Sequence, residues 1–181
     1  MNAELRSIRE ADLELIMNWR MRPDITRFMN TDPILTLEGQ KKWLKNISED
    51  LTCKYWLIQV DGIPVGIINL CNINYEKKIC EWGYYIGENK LRSLKLAMSL
   101  EWNLYNFVFE VLNFDALYNE VLDVNKGVVK LHLACGSRIN QVFKNHVIKN
   151  EIQYDVIRMV ITREEWEIKK QSLNYEKIEC N

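Results

Sequence analysis

The chain has few of the residues that build metal and disulfide frameworks. No two cysteines stand in a Cys-x-x-Cys spacing, and only two histidines occur, His132 and His146. Cys53, Cys71, Cys80, Cys135 and Cys180 are odd in number and irregularly spaced, which argues against a disulfide framework and for reduced thiols. His132 and Cys135 share one expected helix, but a zinc site needs further ligands that the sequence does not supply, so no metal is expected. Charge of one sign is not in excess. Lys and Arg number 24 against 25 Asp and Glu, and a net charge of −1 gives no broad basic field for nucleic acid or an anionic membrane. No apolar run approaches the roughly 20 residues that span a bilayer. The first residues carry charges of both signs, not a basic start followed by an apolar stretch, so no secretory leader is expected and the cytoplasm is the expected compartment. Repeats, linkers and low-complexity stretches are missing as well. What is present, 181 residues with 48% apolar and 27% charged, suits one domain with a real core.

Residues 5–9 read as a short strand and 11–20 as a helix. In that helix Leu13, Ile16, Met17 and Arg20 share a face, so Arg20 ends an apolar stripe. Pro23 and Asp24 break it, and 25–29 form a turn or a second short helix. Thr36 can cap a helix with Leu37, Gln40, Trp43, Leu44 and Ile47 on one side. Apolar, β-branched runs at 54–60 and 63–70 flank Asp61-Gly62, a strong hairpin signal. A polar loop at 72–78 leads to a third strand at 79–86. A long helix at 91–109 carries Leu94, Met98, Trp102 and Tyr105 along one stripe, and a strand follows at 116–122. Two more strands are expected near 139–148 and 154–162, then a helix opened by the capping box Thr162-Arg-Glu-Glu165. Residues 1–169 would be a single domain and 170–181 a polar tail that frays. A meander followed by a strand–helix–strand unit is an α+β arrangement with a mixed sheet.

The most informative segment is Asn125-Lys-Gly-Val-Val-Lys-Leu-His132-Leu-Ala-Cys-Gly136. Asn is a good N-cap because its side-chain oxygen accepts from an orphan N–H. Gly136 suits the position after a helix, where the left-handed region is needed. A short helix is thus bracketed, with an imidazole near its far end. With this segment and this element order, the chain over about residues 5–167 resembles the GNAT superfamily of acyl-CoA N-acetyltransferases. There a similar helix starts at Asn and carries, in place of His132, a Tyr that usually protonates the departing CoA thiolate. The resemblance implies a GNAT-like mixed, mostly antiparallel sheet with a splayed central strand pair and helices on both faces. It also implies acetyl-CoA as co-substrate and His132 as proton donor. A thiol titrates at about 8.5 and an imidazole at about 6.5, so an imidazolium can hand a proton to a thiolate near neutral pH.

The family's pyrophosphate loop reads Gln/Arg-x-x-Gly-x-Gly/Ala, and the matching stretch is Arg92-Ser-Leu-Lys95-Leu-Ala97. Arg92 and Ala97 fit, whereas Lys95 replaces the first glycine. Contacts to the cofactor are therefore implied for Ile86, Gly87, Arg92, Ser93, Leu94, Lys95, Leu96, Ala97 and Asn125. Their physical basis is the orphan N–H groups and positive dipole end of a helix start. Lys95 gives up glycine's close backbone approach but adds a point charge. On the strands, Glu81 and Glu120 are candidate bases for the incoming amine. Cys71 reads as core packing, since a buried strand thiol is inert, and Tyr75, Trp82 and Trp102 read as core or cleft wall.

The run Trp19-Arg-Met-Arg-Pro-Asp-Ile-Thr-Arg-Phe-Met29 is similar to a branch holding ribosomal-protein N-terminal acetyltransferases and acetyltransferases of nucleotide-linked amino sugars. Lys54-Tyr55-Trp56-Leu57, Val65-Gly66 and Cys80-Glu81-Trp82-Gly83-Tyr84-Tyr85 extend the likeness, most of all to the pseudaminic-acid-pathway group. That implies acetylation of the 4-amino group of a UDP-linked amino-dideoxy sugar. Arg20 would grip the diphosphate through forked hydrogen bonds, with Asn69, Asn72 and Tyr85 also on the acceptor. Two other readings stay open, a ribosomal-protein-type N-terminal acetyltransferase and a non-enzymatic CoA-binding module. Nucleic-acid and membrane partners are not expected, and the sequence leaves a homodimer open.

Overall fold

Asp61 and Gly62 both take positive φ, 50° and 79°, as a two-residue primed turn requires. They join two strands of an antiparallel meander in the computed structural model, which describes residues 2–180. In chain order the strands are β1 (Ala3–Ser7), β2 (Lys54–Val60), β3 (Ile63–Asn74), β4 (Ile79–Ile86), β5 (Ala116–Leu122), β6 (Arg138–Lys149), β7 (Ile152–Thr162) and β8 (Glu179–Cys180). The helices are α1 (Leu13–Arg20), α2 (Pro23–Thr26), α3 (Leu37–Glu49), α4 (Leu94–Asn106), α5 (Lys126–Cys135) and α6 (Arg163–Lys170). One sheet holds the strands in the order β6-β7-β5-β4-β3-β2-β1-β8. Its neighbours are antiparallel except β4 with β5 and β1 with β8. The α+β architecture with a mixed sheet is as the sequence predicts.

The helices divide between the two faces. On one face α1 places Ile16 and Trp19 against Leu57 and Ile67, with Tyr85 packed beside them. On this side α3 sets Trp43 edge-on to Tyr55, 5.4 Å between centroids. On the other face α4 buries Leu96, Leu100 and Leu104 against Trp56, Ile68, Trp82 and Ile86, and α6 adds Trp166 to the same core. The stripe expected on α4 is therefore misplaced. Leu94 is 66% exposed and Met98 and Trp102 are only half-buried. The buried line runs instead through Leu96, Leu100 and Leu104, and of the expected stripe Tyr105 is fully buried while Met98 and Trp102 pack against the core's edge.

Three local expectations also change. The strand expected at 63–70 runs on to Asn74 and takes up part of the polar loop. Tyr75, expected in the core or cleft wall, is 59% exposed. The polar tail docks, with β8 lying parallel to β1 and Ile178 buried. Asn103 anchors it by donating to the Glu176 carbonyl at 3.0 Å and accepting from the Ile178 N–H at 2.9 Å. Backbone pairing of this kind leaves no trace in composition. The capping box of α6 forms as expected, Thr162 with Glu165. Gly136 closes α5 at φ 116°.

Candidate active site

The registers of β4 and β5 define the site. Their parallel pairing runs through Ile79↔Ala116 and Cys80↔Leu117 and ends at Glu81↔Tyr118. Beyond that point β4 continues on β3 as far as Gly66↔Ile86, while β5 continues on β7 as far as Leu122↔Val156. Each strand follows its outer partner, so the facing edges from Trp82 and Asn119 onward diverge. A cavity of about 910 Å³ opens in the gap and is lined from both faces of the sheet. That is ample for a cofactor arm and an acceptor together.

On the α4 side the wall is made by Ser93, Leu94, Ala97, Asn125, Val128 and His132, among others. Ser93 caps α4 by accepting from the Leu96 N–H at 3.1 Å. The first turn of the helix then offers its orphan N–H groups beside the gap. Ala97 is small, and the Lys95 side chain is 71% exposed near Glu176, so it does not fill the cavity. These features fit the pantetheine and phosphates of an acyl-CoA. Asn125 lines the cavity too, but its side chain makes no capping bond, contrary to expectation, and the start of α5 is held through backbone groups alone. Arg92 lines the cavity with two donors already engaged, Nε on the Ile86 carbonyl at 2.8 Å and a terminal nitrogen on Asp24 at 2.9 Å. Asp24 accepts from Arg22 as well, and these guanidinium bonds, Arg22 first, hold its carboxyl well below the usual range.

His132 is 3% exposed and reaches the cavity from the buried face of α5, on which Val129 and Cys135 also lie. The Trp82 ring stands edge-on to it, 5.1 Å between centroids. Its Nδ1 is 2.9 Å from Glu101 Oε1, and Glu101 is fully buried. The Glu101 carboxylate also accepts from the Tyr105 hydroxyl at 3.0 Å and, at longer range, from Tyr84 at 3.4 Å. Burial, with Glu101 adding to it, pushes both phenols well above their ordinary range, so they remain neutral donors. Sequence reasoning missed Glu101.

On the opposite face the wall includes Arg20, Trp43, Tyr55, Asn69, Tyr85 and Glu120. The Arg20 guanidinium donates to Thr31, 2.9 Å to its hydroxyl, and burial pulls its pKa down without neutralising a guanidinium. The segment after α2 completes this wall with Phe28, Met29, Thr31, Pro33 and Leu35, none foreseen as site residues. It is clamped from the β6–β7 hairpin, where Lys149 Nζ donates to the carbonyls of Thr26 at 2.7 Å and Met29 at 3.0 Å.

Of the expected residues, the cavity thus gathers His132, Glu120, Ile86, Arg92, Ser93, Leu94, Ala97, Asn125, Arg20, Asn69 and Tyr85. Glu81, Asn72, Gly87, Lys95 and Leu96 are not in its lining. Glu81 sits where β4 and β5 are still paired, and it is tied to Arg158 at 2.9 Å and Asn72 at 2.9 Å. Gly87 packs on the Trp19 indole, and Leu96 is core. Burial pushes the Cys71 thiol up to about 11, in keeping with an inert residue. Among the described residues no cluster of three or more His, Cys, Asp or Glu could hold a metal ion, and no helix is long and apolar enough to cross a membrane.

A sheet opened between two parallel strands, a helix start beside the opening and an imidazole in its wall define an acyl-CoA-dependent transferase. Comparison agrees: the Acetyltransferase (GNAT) domain family matches residues 2–138, and the chain belongs to that family. It is an N-acetyltransferase that uses acetyl-CoA as co-substrate. Acetyltransferase PseH from two strains of Campylobacter jejuni subsp. jejuni is similar in sequence. One is 33% identical over 72% of this chain and 77% of its own length, the other 32% identical over 67% and 73%. A solved structure of spermidine N-acetyltransferase from Vibrio cholerae, in complex with CoA and spermine, shares the fold at TM-score 0.86. It is 20% identical and covers 92% of this chain and 98% of that one.

Proposed function

We propose that the chain moves the acetyl group of acetyl-CoA onto the 4-amino group of a UDP-linked amino-dideoxy sugar, a step of pseudaminic acid biosynthesis in the cytoplasm. The observation that carries this reading is the acceptor-side wall. A half-buried guanidinium, Arg20, stands there among Asn69, Thr31 and the aromatic rings of Trp43, Tyr55 and Tyr85. Such a wall suits an acceptor that carries both a diphosphate and a flat base. The similarity to Acetyltransferase PseH supports it.

Acetyl-CoA supplies the acetyl group as a thioester. Glu120, in the wall on the acceptor face, takes a proton from the substrate ammonium so that its nitrogen becomes nucleophilic. As the new C–N bond forms and the C–S bond breaks, the nitrogen sheds its second proton to water and His132 gives one to the departing sulfur. One proton is released overall for each amide made. Arg158 stands 3.6 Å from Glu120 as its ion-pair partner.

Mass spectrometry after mixing the chain and acetyl-CoA with UDP-4-amino sugars, peptides and polyamines tests the reading. An acetylated nucleotide sugar is the expected product, and an acetylated peptide or polyamine alone would replace it with another acceptor class. Arg20→Ala should raise the KM for the nucleotide sugar at least about tenfold, since charged hydrogen bonds are worth about 1.5–3 kcal/mol. The KM for acetyl-CoA should stay within about twofold. An unchanged acceptor KM would remove Arg20 from the diphosphate site.

A further inference from the structure

Glu101 has no role in the chemistry above, yet its position is costly. A carboxylate on α4 with no solvent exposure gives up its hydration, a cost that an apolar side chain of similar size would avoid. The Tyr105 and Tyr84 hydroxyls donate to it, His132 Nδ1 lies 2.9 Å away, and the Cys135 thiol hydrogen-bonds to it as well. Tyr105 spends its single proton on Glu101, so the Ser137 hydroxyl, 3.1 Å away, must be the donor of their mutual bond. The carboxylate is therefore held by two phenols and the Cys135 thiol, and the imidazole completes its directional contacts.

We propose that Glu101 is the positioning residue for His132, an assignment that rests on the transferase reading. The bond to Nδ1 keeps a proton on that nitrogen, because an ionised carboxylate can only accept. Nε2 is thereby left as the nitrogen that takes up and delivers the proton in transfer. When Nε2 is protonated the ring is a cation, and Glu101 is the counter-charge 2.9 Å away. In the transfer step the Nε2–H bond breaks and an S–H bond forms. The electron pair stays on Nε2, and the ring returns to the neutral Nδ1–H form with Glu101 still ionised. Glu101 never touches substrate. It fixes the tautomer and the ring plane, which Trp82 packs against from the β4 side.

Because the chain has only two histidines, imidazole ¹⁵N NMR resolves the question directly, with the exposed His146 as an internal reference. At alkaline pH, where the ring is neutral, His132 should carry its proton on Nδ1 and have a bare Nε2, the tautomer that is the minor one in water. A proton on Nε2 would overturn the assignment. In the second arm, Glu101→Gln should lower kcat at least about tenfold with the KM for acetyl-CoA within about twofold, and Glu101→Asp should recover part of the loss. Tyr105→Phe removes a donor to the same carboxylate without touching the imidazole and should keep most of the turnover. Full kcat in a folded Glu101→Gln protein would overturn the assignment and leave the transferase reading intact. The NMR arm needs no substrate, so a wrong acceptor and a wrong tautomer appear in different measurements.

Discussion

Replacing His132 by phenylalanine will lower kcat at least about 100-fold, close to 2.7 kcal/mol of barrier, with little change in the KM for acetyl-CoA. The reason is specific to the leaving group. Its sulfur departs as an anion beside the wall that Val128, Leu131 and His132 share, where a fixed donor is better placed than passing water to supply the proton. His132 is the group in this wall that has a spare nitrogen once its other nitrogen is fixed to Glu101. Phenylalanine keeps the ring volume against Trp82 but takes the imidazole partner away from the buried Glu101 carboxylate. Loss of a buried partner can cost about 3–5 kcal/mol of stability, so thermal unfolding must be measured alongside. His132→Tyr separates the two effects. It restores a proton donor, whose single hydroxyl proton serves either Glu101 or the sulfur, and should recover part of the lost turnover. A phenol titrates roughly three units above an imidazole, and a general acid works only while protonated. Activity in the Tyr variant should therefore persist to higher pH than in the parent, with the alkaline limb moved up. Full turnover in a folded His132→Phe protein would mean that the thiolate takes its proton elsewhere.

Much of this architecture could be read from sequence because it is built from local rules. Asp61-Gly62 can make only a primed turn between apolar runs, Gly136 ends a helix where a left-handed residue is required, and Thr162 with Glu165 caps α6. The gap between β4 and β5 was legible at one remove, through resemblance, since no residue pattern states where a ladder stops. That stopping point sets the two carboxylates apart. Glu81 lies at the last paired position and turns to Arg158 and Asn72, whereas Glu120 lies beyond it and meets the cavity. Glu101 was illegible because a charged residue inside a helix reads as solvent-facing. Its burial depends on α5, and its partner is 31 residues away. The wall after α2 was missed for a similar reason. Lys149, which holds it, reaches back across 123 residues, and a lysine in an exposed edge strand gives no hint of a buried amine.

The gap also rests on a glycine, and Gly66→Ala should be the most damaging small substitution in the sheet. A Cβ at Gly66 would lie 2.1 Å from the Tyr85 carbonyl oxygen and 3.0 Å from the Ile86 Cα. Both are backbone atoms, so no rotamer change relieves the clash. The end of β4 is pinned there, because the Val65 carbonyl accepts from the N–H groups of Gly87 at 2.6 Å and Glu88 at 3.1 Å. Alanine must break this clamp or push β4 off β3, toward β5. Overpacking against backbone costs about 3 kcal/mol, which lowers the melting temperature by about 6–12 °C in a domain of this size. Gly62→Ala is the comparison. Its Cβ would meet nothing within 4 Å, so only the positive φ of 79° opposes it, at about 1–2 kcal/mol. Gly66→Ala should therefore unfold at clearly lower denaturant than Gly62→Ala. Its folded fraction should also bind acetyl-CoA more weakly, because a displaced β4 narrows the opening beside Tyr84 and Ile86. If the two variants unfold alike and Gly66→Ala keeps the parent's affinity for acetyl-CoA, the close passage of β3 under β4 is not what holds the gap open.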